Sequence, residues 1–349
     1  MIALNIGIIG ATGYGGTELY RILSNHPEVS SCTLYTSSDE HKKYSSVYPH
    51  LTEVCPLDLH PIKTEQMKDE HDVIFLAAPS GVSASLTPGL LSEDIKIIDL
   101  SGDLRLKDPD QYEKWYQKTA APGELLQNAV YGLSEVNRAC IEQAHIIANP
   151  GCYPTATLLA LTPIVKHQLV RSSSIIIDAK SGVSGAGRKP SIGTSFTEMQ
   201  QNLKIYKVHR HQHIPEIEQE LKDMDPNIGP ISFTTHLIPM TRGIMATIYV
   251  ELAENQSQEQ LMDLYNQFYQ NMPFVRVRKD GSFPGTKDVY GSNYCDIGLK
   301  LDPRTGRLTI VSVIDNLMKG AAGQAVQNFN LLFGFDETLG LKHLLPVYP

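Results

Sequence analysis

The sequence predicts an α/β protein in which a doubly wound parallel sheet is followed by an α+β unit with a mainly antiparallel sheet. Three observations predict it. Short, nearly all-apolar runs alternate with helical stretches up to residue 151. Longer strand-like runs dominate after Cys152. A chain of 349 residues also exceeds what one hydrophobic core usually serves.

Taken in order, residues 5–10 read as a buried strand, a cluster of glycines follows, and residues 17–23 have helical spacing. Apolar runs bounded by turn residues recur at 32–36, 73–78, 95–100 and 145–148, as expected of strands covered on both faces. Past Cys152 the pattern changes: residues 153–167 read as a buried helix, and strands are expected at 174–179, 231–240, 244–252, 294–301 and 308–314. Helical spacing returns at 258–270 and at 320–332. The chain thus divides into a dinucleotide-binding domain, 1–151, completed by 316–349, and a catalytic and dimerisation domain, 152–315, with no internal repeat or low-complexity linker.

The net charge of -8 without any block of like charges argues against nucleic acid as a partner. No segment approaches the roughly 20 apolar residues that span a bilayer, so no membrane partner is expected. The first residues lack a basic region followed by an apolar stretch, so a cytoplasmic protein is expected. Five cysteines, an odd count without a C-x-x-C pair, suggest neither a disulfide framework nor a zinc ribbon.

Gly10, Gly13 and Gly16, with Gly15 as an extra glycine and Thr12 and Tyr14 between them, sit after a strand and at a helix start, the Rossmann-type arrangement. Absent side chains let backbone approach a pyrophosphate, and the helix N-terminus offers it N–H groups and partial positive charge. The end of the second strand carries Thr36, Ser37 and Ser38, with Asp39 only afterwards. Hydroxyls there donate to a 2'-phosphate and no carboxylate repels it, so NADP is expected. The same glycines also suit a turn that binds nothing, and the serines a solvated turn.

Asn149-Pro150-Gly151-Cys152-Tyr153-Pro154-Thr155 lies between an apolar strand and an apolar helix, which sets Cys152 in a first helical turn, where the helix field favours thiolate over thiol. In His209-Arg210-His211-Gln212-His213-Ile214-Pro215-Glu216, the proline and glutamate mark a helix start. That leaves His213 exposed ahead of it as a general acid or base, with Glu216 near enough to orient it. A metal site is not expected, since no cysteine or carboxylate lies beside these histidines at ligand spacing. Ser181 to Gly187 followed by Arg188 and Lys189 reads as a loop whose successive N–H groups converge on an anion, a phosphate or the nicotinamide edge, or else as a solvated loop. Arg105 is a candidate for a substrate carboxylate or phosphate; an ordinary surface arginine fits as well.

Together these pieces resemble the N-acetyl-gamma-glutamyl-phosphate reductases of the aspartate-semialdehyde dehydrogenase superfamily, over nearly the whole chain. The most specific parts are 149–155, 211–217, 181–187 and 316–325. The resemblance implies NADPH-dependent reduction of N-acetyl-gamma-glutamyl phosphate to N-acetylglutamate semialdehyde, in arginine biosynthesis, by a homodimer or homotetramer. It makes Cys152 the nucleophile, His213 the acid and base, and Glu216 its relay. Ser181, Gly182 and Asn316 then belong to the cofactor, and Arg105, Asn149, His211 and Arg188 to the small acyl phosphate substrate. The chain departs from the family in having Gln212 between the two histidines where arginine is usual, so His211 stays an alternative to His213. It also carries Ser80 where many relatives have histidine. Aspartate-semialdehyde dehydrogenase, with a shorter substrate, and a thiol acyltransferase without redox chemistry are the competing readings.

Overall fold

The computed structural model describes residues 3–347. Of these, residues 3–150 with Ala321–His343 form one compact unit, and Gly151–Gly320 with residues 344–347 form another. The last described residues thus belong with the second unit, where the Val347 N–H donates to the Tyr290 carbonyl at 2.8 Å.

The first unit is built on β1 (Leu4–Ile9), β2 (Val29–Tyr35), β3 (Leu59–His60), β4 (Val73–Leu76), β5 (Lys96–Asp99), β6 (Val130–Tyr131) and β7 (Ile146–Ala148). Their order is β3-β2-β1-β4-β5-β7-β6, and every pairing is parallel. All of β4, Val-Ile-Phe-Leu, is buried, which is why it reads as an unbroken apolar run and not as an alternation. β1 lies between β2 and β4, the position where strand order reverses and a crevice opens at the carboxyl ends of the strands.

The helices Tyr14–Leu23 and Gly323–Leu332 pack together in this unit. Gln324, Gln327, Asn328 and Asn330 are fully buried on the second of them. Burial of these amides is sustained by partners. Asn328 Nδ2 donates to the Gly132 carbonyl at 2.7 Å, Asn330 Nδ2 to the Leu339 carbonyl at 2.8 Å, and Gln327 Nε2 to Glu135 at 3.1 Å.

The second unit holds β8 (Ile176–Ser181), β9 (Lys204–Tyr206), β10 (Ser232–Leu237), β11 (Ile244–Glu251), β12 (Val275–Val277), β13 (Cys295–Leu301) and β14 (Arg307–Ile314). The order is β12-β13-β14-β11-β8-β10-β9. Two pairings are parallel and the other four antiparallel. β11 alternates buried and half-buried residues along its length, one face turned to the core. The helix Cys152–Lys166 fills that core, buried from Tyr153 to Val165. Two tyrosines of the helix Gln258–Tyr269 fasten it: Tyr265 donates to the Ala160 carbonyl at 2.6 Å and Tyr269 to the Leu159 carbonyl.

Four strands were not expected from the sequence, β3, β6, β9 and β12, and they are the four sheet edges. Each has two or three residues, too few for an alternation to register. The final helix, expected from Gly320, begins at Gly323 after a wide π turn at Met318–Ala322.

Candidate active site

Cys152 is the first residue of its helix, and Gly151 is the N-cap. No side chain caps this helix from within. Instead the Gly151 N–H donates to Glu216 Oε1 at 2.8 Å, from 65 residues away. The Gly151 carbonyl receives both the Thr155 N–H and the Thr155 hydroxyl at 2.9 Å, so the turn that presents the sulfur is tied on both sides. Cys152 is half-buried. A side chain at Gly320 would stand 2.8 Å from Cys152 Cβ, so the chain passes over the cysteine only because that residue is glycine.

Glu216 lies on the helix His213–Met224 and is fully buried. Its second oxygen stands 4.0 Å from His213 Nε2. One carboxylate therefore spans from the backbone ahead of the thiol to the imidazole. His213 was expected exposed before the helix; it is instead the first residue of the helix and buried at 8% exposure, because this helix packs on the thiol helix.

His211 is buried in a box of rings. Tyr153, Phe233 and Tyr206 have ring centroids 5.4, 5.6 and 5.7 Å from it, and His213 lies at 4.7 Å. Its Nδ1 accepts the His213 backbone N–H at 3.2 Å, which puts the proton of the neutral ring on Nε2. Burial, with the Lys207 ammonium adding to it, pushes the His211 imidazole down to about 3. A free histidine takes up its proton near 6.5, so between the two values the unfolded chain holds the extra proton and acid favours unfolding. The slope contributed is about 1.4 kcal/mol per pH unit. His211→Phe is expected to flatten the fall of the thermal midpoint between about pH 6.5 and 4.5; an unchanged slope in scanning calorimetry would remove His211 as its source.

In the first unit the glycine turn has the form a phosphate needs. Gly10 has φ +82°, and a Cβ there would lie 2.5 Å from the Ala77 carbonyl oxygen; at Gly16 one would lie 2.4 Å from the Gly10 carbonyl oxygen. Nothing lies within 4 Å of a Cβ at Gly15. Gly10 and Gly16 close the turn on itself, and Gly15 leaves its outer side bare. Gly13 is the N-cap of the helix Tyr14–Leu23; Tyr14 is exposed and Thr12 half-buried. Two residues that the sequence reading missed brace the turn: Tyr44 donates to the Ala11 carbonyl at 2.8 Å and Tyr48 to the Thr12 carbonyl at 2.9 Å. Two tyrosines one helical turn apart were the only available signal. The Gly10 and Ala11 N–H groups donate to the Tyr35 carbonyl, which brings the exposed Ser37 and Ser38 beside the turn. Asp39 is engaged by the Ser38 hydroxyl at 2.9 Å and Lys42 at 2.8 Å.

Four expectations are corrected. Asn149 is fully buried, its amide donating to the Ala321 carbonyl at 3.2 Å and its Oδ1 accepting from Asn328 at 3.0 Å, so it braces the turn and does not face a substrate. Arg105 is no surface arginine: it is buried and donates to the carbonyls of Asn149 at 2.8 Å and Leu100 at 3.0 Å. Asn316 spends its amide within the protein, accepting the Gly243 N–H at 2.8 Å and donating to Ser184 at 3.0 Å. The loop after β8 is no anion nest of successive N–H groups: those of Gly182, Val183 and Ser184 donate to the carbonyls of Gly243, Met240 and Thr241. Ser181 and Gly182 are buried beneath this clasp, whereas Arg188 is exposed. Among the described residues no group of histidines, cysteines and carboxylates could hold a metal ion, and no helix is long and apolar enough to cross a membrane.

Comparison with known proteins supplies the class. Residues 5–144 match the family model described as "Semialdehyde dehydrogenase, NAD binding domain", and residues 152–316 the one described as "Semialdehyde dehydrogenase, dimerisation domain". The fold agrees. Aspartate semialdehyde dehydrogenase II from Vibrio cholerae superposes with a TM-score of 0.73 at 21% identity, over 95% of this chain and 99% of that one. The Candida albicans enzyme, solved with NADP, gives 0.68 at 16%, over 95% and 98%. The chain is thus a two-domain oxidoreductase of the semialdehyde dehydrogenase class with a nicotinamide-nucleotide domain. Within that class, the N-acetyl-gamma-glutamyl-phosphate reductases of Bacillus amyloliquefaciens and Bacillus subtilis (strain 168) are each 59% identical, over 99% of this chain and 100% of theirs. That of Geobacillus sp. (strain WCH70) is 58% identical over the same shares. The chain belongs to the N-acetyl-gamma-glutamyl-phosphate reductase family.

Proposed function

We propose that this chain reduces N-acetyl-gamma-glutamyl phosphate to N-acetylglutamate semialdehyde and phosphate with NADPH, through a thioester on Cys152, as a cytoplasmic homodimer or homotetramer serving arginine biosynthesis. The observation that carries the reading is the Glu216 carboxylate, which holds the Gly151 N–H just ahead of the thiol and stands beside the His213 imidazole.

In this reading His213 accepts the Cys152 proton and the thiolate attacks the acyl carbon. The carbon–oxygen bond to phosphate breaks, inorganic phosphate leaves, and the acyl chain stays on sulfur. Splitting the transfer this way lowers its hardest barrier. When bound, NADPH supplies the hydride that reduces the thioester carbonyl. His213 then lends its proton to the hemithioacetal oxygen and recovers it as the carbon–sulfur bond breaks, which frees the aldehyde and restores the thiolate. N–H groups of the first turn at Cys152 stabilise the oxyanion. His211, neutral at working pH, is unsuited to carrying this proton, and its Nε2–H suits donation to substrate. Gly10, Thr12, Gly13, Tyr14, Gly15 and Gly16 hold the pyrophosphate, and Ser37 and Ser38 the 2'-phosphate.

The test is oxidation of N-acetylglutamate semialdehyde by phosphate with NADP or NAD, beside aspartate semialdehyde. Turnover is expected with the acetylated substrate and NADP; preference for aspartate semialdehyde would overturn the reading. A Ser38→Asp variant sets a carboxylate against the 2'-phosphate. Its kcat/KM with NADPH is expected to fall about tenfold to a hundredfold, roughly 1.4 to 2.8 kcal/mol, while that with NADH is little changed. Equal loss with both cofactors would show that Ser38 does not read the 2'-phosphate.

A further inference from the structure

The segment between β8 and the histidine helix carries large apolar residues in the open. Ile192 is 84% exposed, Phe196 77%, Leu203 59%, Ile205 50% and Val208 40%. Soluble chains seldom leave so many large apolar residues uncovered along one short segment. The same stretch is basic: residues 188–210 hold Arg188, Lys189, Lys204, Lys207 and Arg210 against the lone carboxylate of Glu198, in a chain of net charge -8. Its β9 also ends the sheet, paired on one side to β10.

We propose that a second copy of this chain covers this arm, residues 188–208, and that this docking fixes one wall of the histidine site. Three observations choose that occupant. The arm lies within the region matching a dimerisation domain. Its basic character complements a copy whose remaining charge is acidic. Apolar anchors ringed by charge are the make-up of a protein interface.

The coupling follows from where the arm ends. Tyr206 lies on β9, its hydroxyl 3.0 Å from that of Tyr153 and its ring 5.7 Å from His211. Lys207 donates to Gln212 at 2.7 Å, one residue before His213. Cover for Leu203, Ile205 and Val208 therefore immobilises the strand that walls His211. Without it, the arm's end holds the box only from within one copy.

The inference rests on the homo-oligomer reading, and the experiment separates the two. Hydroxyl-radical footprinting of the wild-type protein over a dilution series, beside sedimentation velocity, follows Phe196 and Ile192 as copies associate. The expected result is an assembled species at high concentration in which both residues are oxidised at least about fivefold more slowly than after dilution. Ile192→Glu and Phe196→Glu should raise the dissociation constant at least about a hundredfold. Their specific activity should fall on dilution and return at high concentration, with NADPH binding retained. A wild-type chain that stays monomeric would defeat the oligomer reading itself. An assembled wild type with Phe196 still fully oxidised would overturn the arm alone, as would variants that assemble normally. Dissociated variants with full specific activity would overturn the coupling.

Discussion

Replacing Cys152 with alanine is expected to lower the turnover of N-acetylglutamate semialdehyde with phosphate by at least about 10⁴-fold while leaving NADPH affinity within about twofold of normal. The size follows from the role: no other side chain can take the acyl group, so the two-step route is lost and not merely slowed. Selectivity for chemistry over binding follows from the division of the chain, since the glycine turn lies in the first unit and Cys152 in the second. Alanine also suits the site. It removes only the sulfur beneath Gly320 and leaves the Gly151 N–H with Glu216. Loss of turnover and of cofactor binding together, measured by stopped-flow and fluorescence titration, would make Cys152 a structural residue.

Glu216 should show two separable effects. Glu216→Gln keeps an acceptor for the Gly151 N–H at nearly the same place but removes the charge beside His213. Its thermal midpoint should hold while kcat falls about 10²-fold or more and the pH profile loses its shape near neutrality. Glu216→Ala removes both and leaves a buried N–H without a partner, adding a stability loss of about 1–3 kcal/mol to the loss of rate. If glutamine and alanine were equally unstable and equally slow, Glu216 would be a packing residue whose tie to His213 at 4.0 Å carries nothing.

Much of this was legible in the sequence. The central strands of the first sheet stood out because burial on both faces demands unbroken apolar runs, as in β4. The helix start at Cys152 could be read from Pro150-Gly151 between two apolar stretches, and it lies where expected. What failed was the reading of polar residues by type. Arg105, Asn149 and Asn316 looked like ligands because they are polar and near the reactive sequences. Their partners are carbonyls and amides that lie 44, 172 and 73 residues away, a relation that no local pattern encodes. The loop at Ser181 failed for a related reason. Its glycines do allow close approach, but what approaches is the turn at Met240 to Gly243. Burial of His213 was equally hidden, since it depends on one helix packing upon another. By contrast, Gly10 and Gly16 were readable because a positive φ or a contact of 2.4 Å tolerates nothing but glycine.

The central claim is a covalent acyl-enzyme on one sulfur. The direct measurement is peptide mass spectrometry of protein mixed with N-acetyl-gamma-glutamyl phosphate in the absence of NADPH. The account requires one N-acetylglutamyl group per chain on the peptide containing Cys152, released by hydroxylamine and discharged as aldehyde when NADPH is added. Full turnover with that peptide unmodified, or with the acyl group on any other residue, would contradict it.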